Sequence, residues 1–301
     1  MKKKTVLILL SDKRSGSTML QNSLCQHGNI QTVAYSPHTY LETHHWLKGA
    51  VILKSNNVLF SNNISYRGYG SRKNAKIYMI DLLKKNISKF NTKVCDEDLI
   101  FNGWEELCNK FCKNIFFEKS PQYLANWASL SLILKWMKKT EYDVKIIGLV
   151  RNPQSVQHSA QKLFGTDPEK RQFAWLKSYK NLIAFKNLIN HNNYLELKYE
   201  DLVDHPKKNI SLICKFIEVK YDENMIKHIH GDSKLKWKND KSYYLKMDES
   251  VVQLANFFGY SNNDLIKSKS KNFKLDFYNQ QKIKRLIKQI KDRIIRPMKI
   301  K

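Results

Sequence analysis

Three short stretches of the chain carry side chains whose types and spacing suit the handling of an anion. The first is Ser11-Asp12-Lys13-Arg14-Ser15-Gly16-Ser17-Thr18, which follows the apolar run 5–10 and leads into a helical pattern. Small residues let the backbone wrap an anion, and a helix N-terminus behind them adds free N–H groups and a positive dipole. Arg14 sets a cation inside that loop. The second stretch is Leu149-Val150-Arg151-Asn152-Pro153, with Ser159 eight residues after Arg151. If Arg151 ends a strand and Ser159 lies two turns into the next helix, a guanidinium fork and a neutral hydroxyl meet on one bound phosphate. The third is Glu118-Lys119-Ser120-Pro121-Gln122-Tyr123-Leu124. Lys119 there adds positive charge where transferring oxygens need it, with Glu118 to orient it.

Such residues need strands that feed helices. Residues 5–10 and 144–150 (VKIIGLV) read as buried strands, continuous and apolar between turn signals. Shorter strands are expected at 115–117 and 194–197. Helices are expected at 17–27, 125–138, from Pro153 onward, 170–191, 206–217 and 222–229, with Pro153 in a favoured first-turn position. Residues 39–112 are mixed and polar, with two or three helices and an Asn-rich stretch from Asn56 to Asn63. A basic C-terminal helix is expected over 278–301, with Ile283, Leu286, Ile287, Ile290 and Ile294 on one face. It would dock on the domain or make a peripheral contact with an anionic membrane. Strands alternating with helices imply an α/β fold in three layers, a central, mostly parallel sheet with helices on both faces. In such sheets ligands sit beyond the carboxyl ends of the strands, where the first two motifs fall. The 301 residues are read as a single domain.

Composition narrows the classes. The net charge is +26, from 53 Lys and Arg against 27 Asp and Glu, and favours anionic partners. Codon bias toward Lys, Asn and Ile explains that excess equally well. No interleaved aromatic-basic motif is present, so no specific nucleic-acid partner is expected. The opening Met1-Lys2-Lys3-Lys4 imitates a secretory leader, but Asp12-Lys13-Arg14 interrupts the short apolar run that follows. No stretch approaches the roughly 20 apolar residues of a membrane-spanning helix. Five scattered cysteines form no disulfide framework and read as reduced thiols, so a cytoplasmic location is expected. Cys108 and Cys112 lie four apart without a further Cys/His pair, and no metal site is expected.

Laid on the phosphate-binding pattern G-x-x-x-x-G-K-[ST], the first loop keeps Gly16 and Thr18 but has Ser17 in place of the lysine and Ser11 in place of the first glycine. With its cation moved to Arg14, the loop resembles that of the sulfotransferases dependent on 3'-phosphoadenosine-5'-phosphosulfate (PAPS), which reads [KR]-[ST]-G-[ST]-[ST]. By that resemblance Arg14 takes the catalytic cation's place near the bridging oxygen of the donor. Ser15, Gly16, Ser17 and Thr18 would cradle the 5'-phosphate. The family often has Pro before the cation, where this chain has Lys13. Its 3'-phosphate site has a strand, an Arg-[ND]-Pro turn and a Ser eight residues after the Arg, which Arg151-Asn152-Pro153 and Ser159 match in full. Residues 118–124 resemble the E-K-[ST]-P-x-Y segment of glycan sulfotransferases, in which the lysine approaches the sulfuryl group. Lys198-Tyr199-Glu200-Asp201-Leu202 resembles a [KR]-Y-E-D-L segment that closes the sheet. Residues 228–236 are similar to a G-N-x-x-R loop of bacterial members, with Asp232 and Lys236 in place of its Asn and Arg; Lys236 would meet a phosphate as a point charge. Residues 40–112 would be the variable, acceptor-side insertion.

The resemblance implies a P-loop-like sulfotransferase fold and metal-free, in-line transfer of a sulfuryl group from PAPS to an acceptor hydroxyl or amine, with a glycan as the leading acceptor class. Arg14 and Lys119 would stabilise the spreading negative charge. A general base is worth ~10²–10⁴-fold, and Glu42 and His38 are the first candidates, ahead of His44 and His45. Two rivals remain: a P-loop-like kinase, which would need the missing lysine and Mg²⁺ ligands, and a non-catalytic polyanion-binding protein, suggested by charge alone.

Overall fold

The computed structural model describes residues 4–54, 71–91 and 93–267, so the expected C-terminal helix and the Asn-rich stretch lie outside the described residues. The chain divides into two compact units, Met1–Val150 with Lys177–His230, and Arg151–Leu176 with Gly231–Lys301.

The first unit is built on a five-stranded sheet. β1 (Thr5–Ser11), β2 (Ile30–Gln31), β3 (Ile115–Lys119), β4 (Asp143–Val150) and β5 (Tyr194–Lys198) lie in the order β2-β3-β1-β4-β5. Every pairing is parallel. β1 is buried along its whole length because it has a strand on each side and helices on both faces, which is why its sequence is an unbroken apolar run rather than an alternating one. Parallel strands require crossovers, and the intervening helices supply them.

On one face Leu7, Leu9, Ile115, Phe117, Ile147 and Leu149 pack with Leu20 and Leu24 of α1 (Ser17–Leu24). Tyr199 and Leu202 of α8 (Tyr199–Asp204) and Ile210 and Ile213 of α9 (Pro206–Phe216) complete that layer. On the other face Phe116 meets the Trp104 and Phe111 rings of α4 (Asp96–Phe111). Trp104 touches Trp46 of α2 (His45–Ile52) and Trp136 of α5 (Trp127–Met137). α3 (Arg72–Asn86) begins at Ser71, whose hydroxyl accepts the Asn74 N–H, and α5 begins at Asn126, whose side chain accepts the Ala128 N–H.

In the second unit α6 (Pro153–Phe164) opens on Asn152, which accepts from the N–H groups of Gln154 and Ser155, with Pro153 in the first turn and Gly165 closing the helix in the left-handed conformation. α10 (Lys236–Asn239), α11 (Glu249–Phe257) and α12 (Asn262–Leu265) follow later in the chain. Trp237, Tyr243 and Leu245 form a small core there. The division between units falls within α7 (Pro168–Lys186).

Most expected elements are present with shifted ends. The helix expected at 222–229 is a single 3₁₀ turn, Glu223–Ile226, because Asp222 caps Asn224 and the segment is too short to propagate. The two-residue β2 escaped the sequence reading, since two residues carry no periodicity.

Gly148 lies in β4 where a Cβ would overlap the Tyr194 hydroxyl and come within 3.1 Å of Leu182. Gly148→Ala is therefore expected to lower stability by about 1–3 kcal/mol through overpacking, read as a fall in Tm.

Candidate active site

The strand register decides which side chains meet. Leu9 of β1 pairs with Lys119 of β3, and Ser11 with Leu149 of β4, so these strands release the chain along one edge of the sheet. After β1 the chain runs to β2 and β3 on one side, then returns to β4 and β5 on the other. That reversal at β1 marks the crevice where such sheets bind ligands.

The loop after β1 turns sharply. Arg14 has φ 70°, Gly16 has φ 92° and caps α1, and the Leu20 N–H donates to the Gly16 carbonyl at 3.1 Å. A Cβ on Gly16 would lie 2.5 Å from the Tyr199 ring, so backbone angle and packing both demand glycine. Arg14 is exposed, Ser15 and Ser17 are buried, and Thr18 is half-buried. The Ser15 hydroxyl is 3.1 Å from that of Tyr179, which donates to the Leu149 carbonyl at 3.0 Å. Tyr179 thus ties the loop to the end of β4. Sequence reading missed it because it lies mid-helix with no motif around it.

Lys119 is fully buried. Its ammonium donates to Thr18 Oγ1 at 3.0 Å and to Glu42 Oε1 at 2.8 Å. The other Glu42 oxygen, Oε2, is 3.2 Å from His44 Nε2 and 3.2 Å from His38 Nδ1. His38 Nδ1 also lies 2.9 Å from the Thr39 carbonyl. The His38 and His44 rings are 4.2 Å apart, and Lys119 sits 5.6 Å from the centroid of the exposed Tyr40 ring. Four residues proposed from sequence (Thr18, His38, Glu42 and Lys119) therefore converge, and His44, the lesser candidate, joins them. His45 does not. It is buried beside Trp46 and Trp104, bonds the Ile100 carbonyl, and burial lowers its pKa to about 4.

Electrostatics sort these groups. Burial alone would raise the Glu42 pKa, but the His44 hydrogen bond and the Lys119 ammonium outweigh it and hold it down at about 2. Burial lowers the His44 pKa against the opposing pull of Glu42. Burial pushes Glu118 up to about 7, although the hydroxyls of Ser120, Thr43 and Tyr123 work against it. The donor atoms of His38, Glu42 and His44 lie within 4.8 Å of one another, the spacing of a metal-binding triad. Lys119 on Glu42 and the Thr39 carbonyl beside His38 already engage two of them.

In the second unit Arg151 is buried, and its Nη2 donates to the Ser233 carbonyl at 3.0 Å and to the Ser233 hydroxyl at 3.1 Å. Trp175 Nε1 donates to the Arg151 carbonyl, and the Ser155 hydroxyl to the Lys234 carbonyl. Arg151 thus faces the 231–236 segment that the sequence singled out. Ser159 is half-buried on α6, and Lys236 is exposed at the start of α10. Ser233, the partner of Arg151, was not foreseen, since a lone serine in a loop carries no signal.

A parallel α/β sheet with a cationic loop at the end of its central strand and a buried lysine beside it is an arrangement suited to handling an anionic group. The sulfotransferase family model matches residues 7–223, and the chain belongs to that family. It is an enzyme that moves sulfuryl groups. Solved structures that share the fold include two sulfotransferase domains. The sulfotransferase domain from the olefin synthase of Synechococcus PCC 7002 is 21% identical with a TM-score of 0.57, over 86% of this chain and 96% of that one. The sulfotransferase domain from the curacin biosynthetic pathway is 20% identical with a TM-score of 0.58, over 87% of this chain and 99% of that one. No curated protein sequence matches significantly.

Glu118 gives stability a pH dependence of defined sign. Its pKa in the folded chain, about 7, exceeds the ordinary 4.5, so the folded state holds the proton more tightly. The resulting stabilisation is complete below about pH 4.5 and is lost as pH rises through about 7. Comparing Tm of wild type and Glu118→Gln across that window should show the wild type losing ground as pH rises.

Proposed function

We propose that the protein transfers a sulfuryl group from PAPS to an acceptor hydroxyl or amine, with a glycan as the acceptor class. The single observation that carries this reading is the Lys119–Thr18 hydrogen bond, 3.0 Å long across 101 residues of sequence. It joins the lysine of the E-K-S-P-x-Y segment to the last residue of the cationic loop. The glycan class rests on the resemblance of that segment to glycan sulfotransferases.

In this reading Ser15, Gly16, Ser17 and Thr18 hold the 5'-phosphosulfate through the loop and the α1 N-terminus. Arg14 and Lys119 neutralise the charge that spreads over the transferring oxygens and the bridging oxygen as the S–O bond breaks. By their motif, Arg151 and Ser159 take the 3'-phosphate, with Lys236 adding a point charge.

Glu42 is a poor proton acceptor, because three donors surround it and its pKa is about 2. His38 is the better base. With its Nδ1–H given to the Thr39 carbonyl and Glu42, Nε2 is the lone-pair nitrogen of a half-exposed ring. Glu42 then orients His38 and shields the ammonium of Lys119.

The first test is thermal stabilisation by the product nucleotide, 3',5'-ADP, without Mg²⁺. A shift that instead requires Mg-ATP would make the protein a kinase. Salt-sensitive DNA binding with no nucleotide effect would make it a polyanion binder. In a labelled-PAPS screen over acceptor classes, Arg14→Ala should cost ~10²–10³-fold in turnover. Arg151→Ala should mainly weaken donor affinity, measured by titration with 3',5'-ADP. His38→Ala should lose ~10²–10⁴-fold in kcat with donor affinity intact. Normal turnover by Arg14→Ala would remove the basis of the assignment.

A further inference from the structure

A helix leaves its first N–H groups without internal partners, and a Ser, Thr, Asp or Asn at its start commonly accepts one of them. The eight-residue α2 has none. Its cap is His44, in the left-handed conformation at φ 50°, with no side-chain hydrogen bond to the turn. Three hydroxyls from elsewhere take the task. The His44 N–H donates to Ser120 Oγ at 3.1 Å, the His45 N–H to Thr43 Oγ1 at 3.2 Å, and the Trp46 N–H to the Tyr123 hydroxyl at 3.4 Å.

All three hydroxyls spend their own protons on one atom. Ser120, Thr43 and Tyr123 donate to Glu118 Oε1 at 2.7, 2.8 and 3.1 Å. One carboxylate oxygen thus gathers three hydroxyl protons, and the hydroxyl oxygens gather three helix donors. Glu118 is fully buried, and its carboxyl group lies at the first turn of α2. The backbone just before that end is unusual. Tyr40, Leu41 and His44 all have positive φ, a conformation that bulky residues keep only when their surroundings impose it.

We propose that Glu118 is a positioning residue for the acceptor side of the site: through the hydroxyls of Thr43, Ser120 and Tyr123 it latches the first turn of α2, and so holds Glu42 against Lys119 and His44 against Glu42. The proposal rests on the reading of Glu42 and its histidines as the acceptor-side groups. It differs from a cap that only stabilises a helix, because its output is the placement of ionisable groups, His44 at the cap and Glu42 two residues before it.

The test uses the full-length chain with labelled histidines and follows the imidazole titrations by NMR, alongside calorimetric binding of 3',5'-ADP. Thr43→Val and Tyr123→Phe each delete one hydroxyl with little change of shape. Either is expected to move the His44 titration upward toward the ordinary 6.5 as the ring leaves its buried place, and to leave 3',5'-ADP affinity unchanged. Glu118→Gln keeps an accepting oxygen and should restore the native titration, whereas Glu118→Leu should behave like the hydroxyl deletions. Folded Thr43→Val and Tyr123→Phe proteins with native His44 titrations would overturn the latch. Failure of the wild type to bind 3',5'-ADP would instead overturn the donor assignment, and the histidine titrations would still decide the latch.

Discussion

An ammonium with no exposed surface must be paired, and Lys119 imposes that condition on the first unit. Stranding one partner of such a buried pair costs about 3–5 kcal/mol, so Glu42 and Lys119 stay or go together. Thr18 supplies the second bond. The end of β3, the start of α1 and the approach to α2 are thereby held at one point. In the proposed reading, a cationic group kept ready beside the donor loop needs no reorganisation when charge develops, which is the basis of electrostatic catalysis.

Adjacent residues of a strand point to opposite faces, and β3 uses both. Lys119 lies on the face shared with Phe117 and α1, and Glu118 on the face shared with Phe116. The segment from Glu42 to Trp46 bonds to both residues over the end of the strand. The left-handed residue His44 lies inside that double grip, and Tyr40 and Leu41 stand just before it. Among the described residues six non-glycine positions have positive φ, and four of them, Arg14, Tyr40, Leu41 and His44, lie in the loop after β1 or the approach to α2. Strain of this kind concentrates where geometry matters more than stability.

The two carboxylates of the site sit on opposite sides of the ordinary range for one reason each. Glu42 is surrounded by nitrogen donors and remains charged; Glu118 has hydroxyl donors only, so burial prevails. In the proposed reading, proton transfer from an acceptor therefore falls to an imidazole rather than to the nearest carboxylate. That division of labour between an orienting anion and a histidine follows from which donors surround the anion.

Much of this was legible in the residues themselves. The buried strands 5–10 and 144–150 announced themselves because a strand covered on both faces must be apolar throughout, and Asn152-Pro153 marked the start of α6 because both residues suit a first turn. The loop after β1, proposed to hold the donor, was readable as an anion cradle because its requirements are local: a glycine for the left-handed angle, small hydroxyl residues, one cation. Glu42 and His38 could be named only as candidates. Their roles depend on Lys119, 77 residues after Glu42, and on strand register, which no local pattern encodes. Tyr179, Thr43 and the Arg151–Ser233 contact were invisible for the same reason, and Ser120 and Tyr123 were visible as motif positions but not as donors to Glu118. Local backbone chemistry determined where an anion could be cradled; only tertiary packing, by burying Lys119 and so obliging it to find a counter-charge, decided which carboxylate and which imidazole would face it.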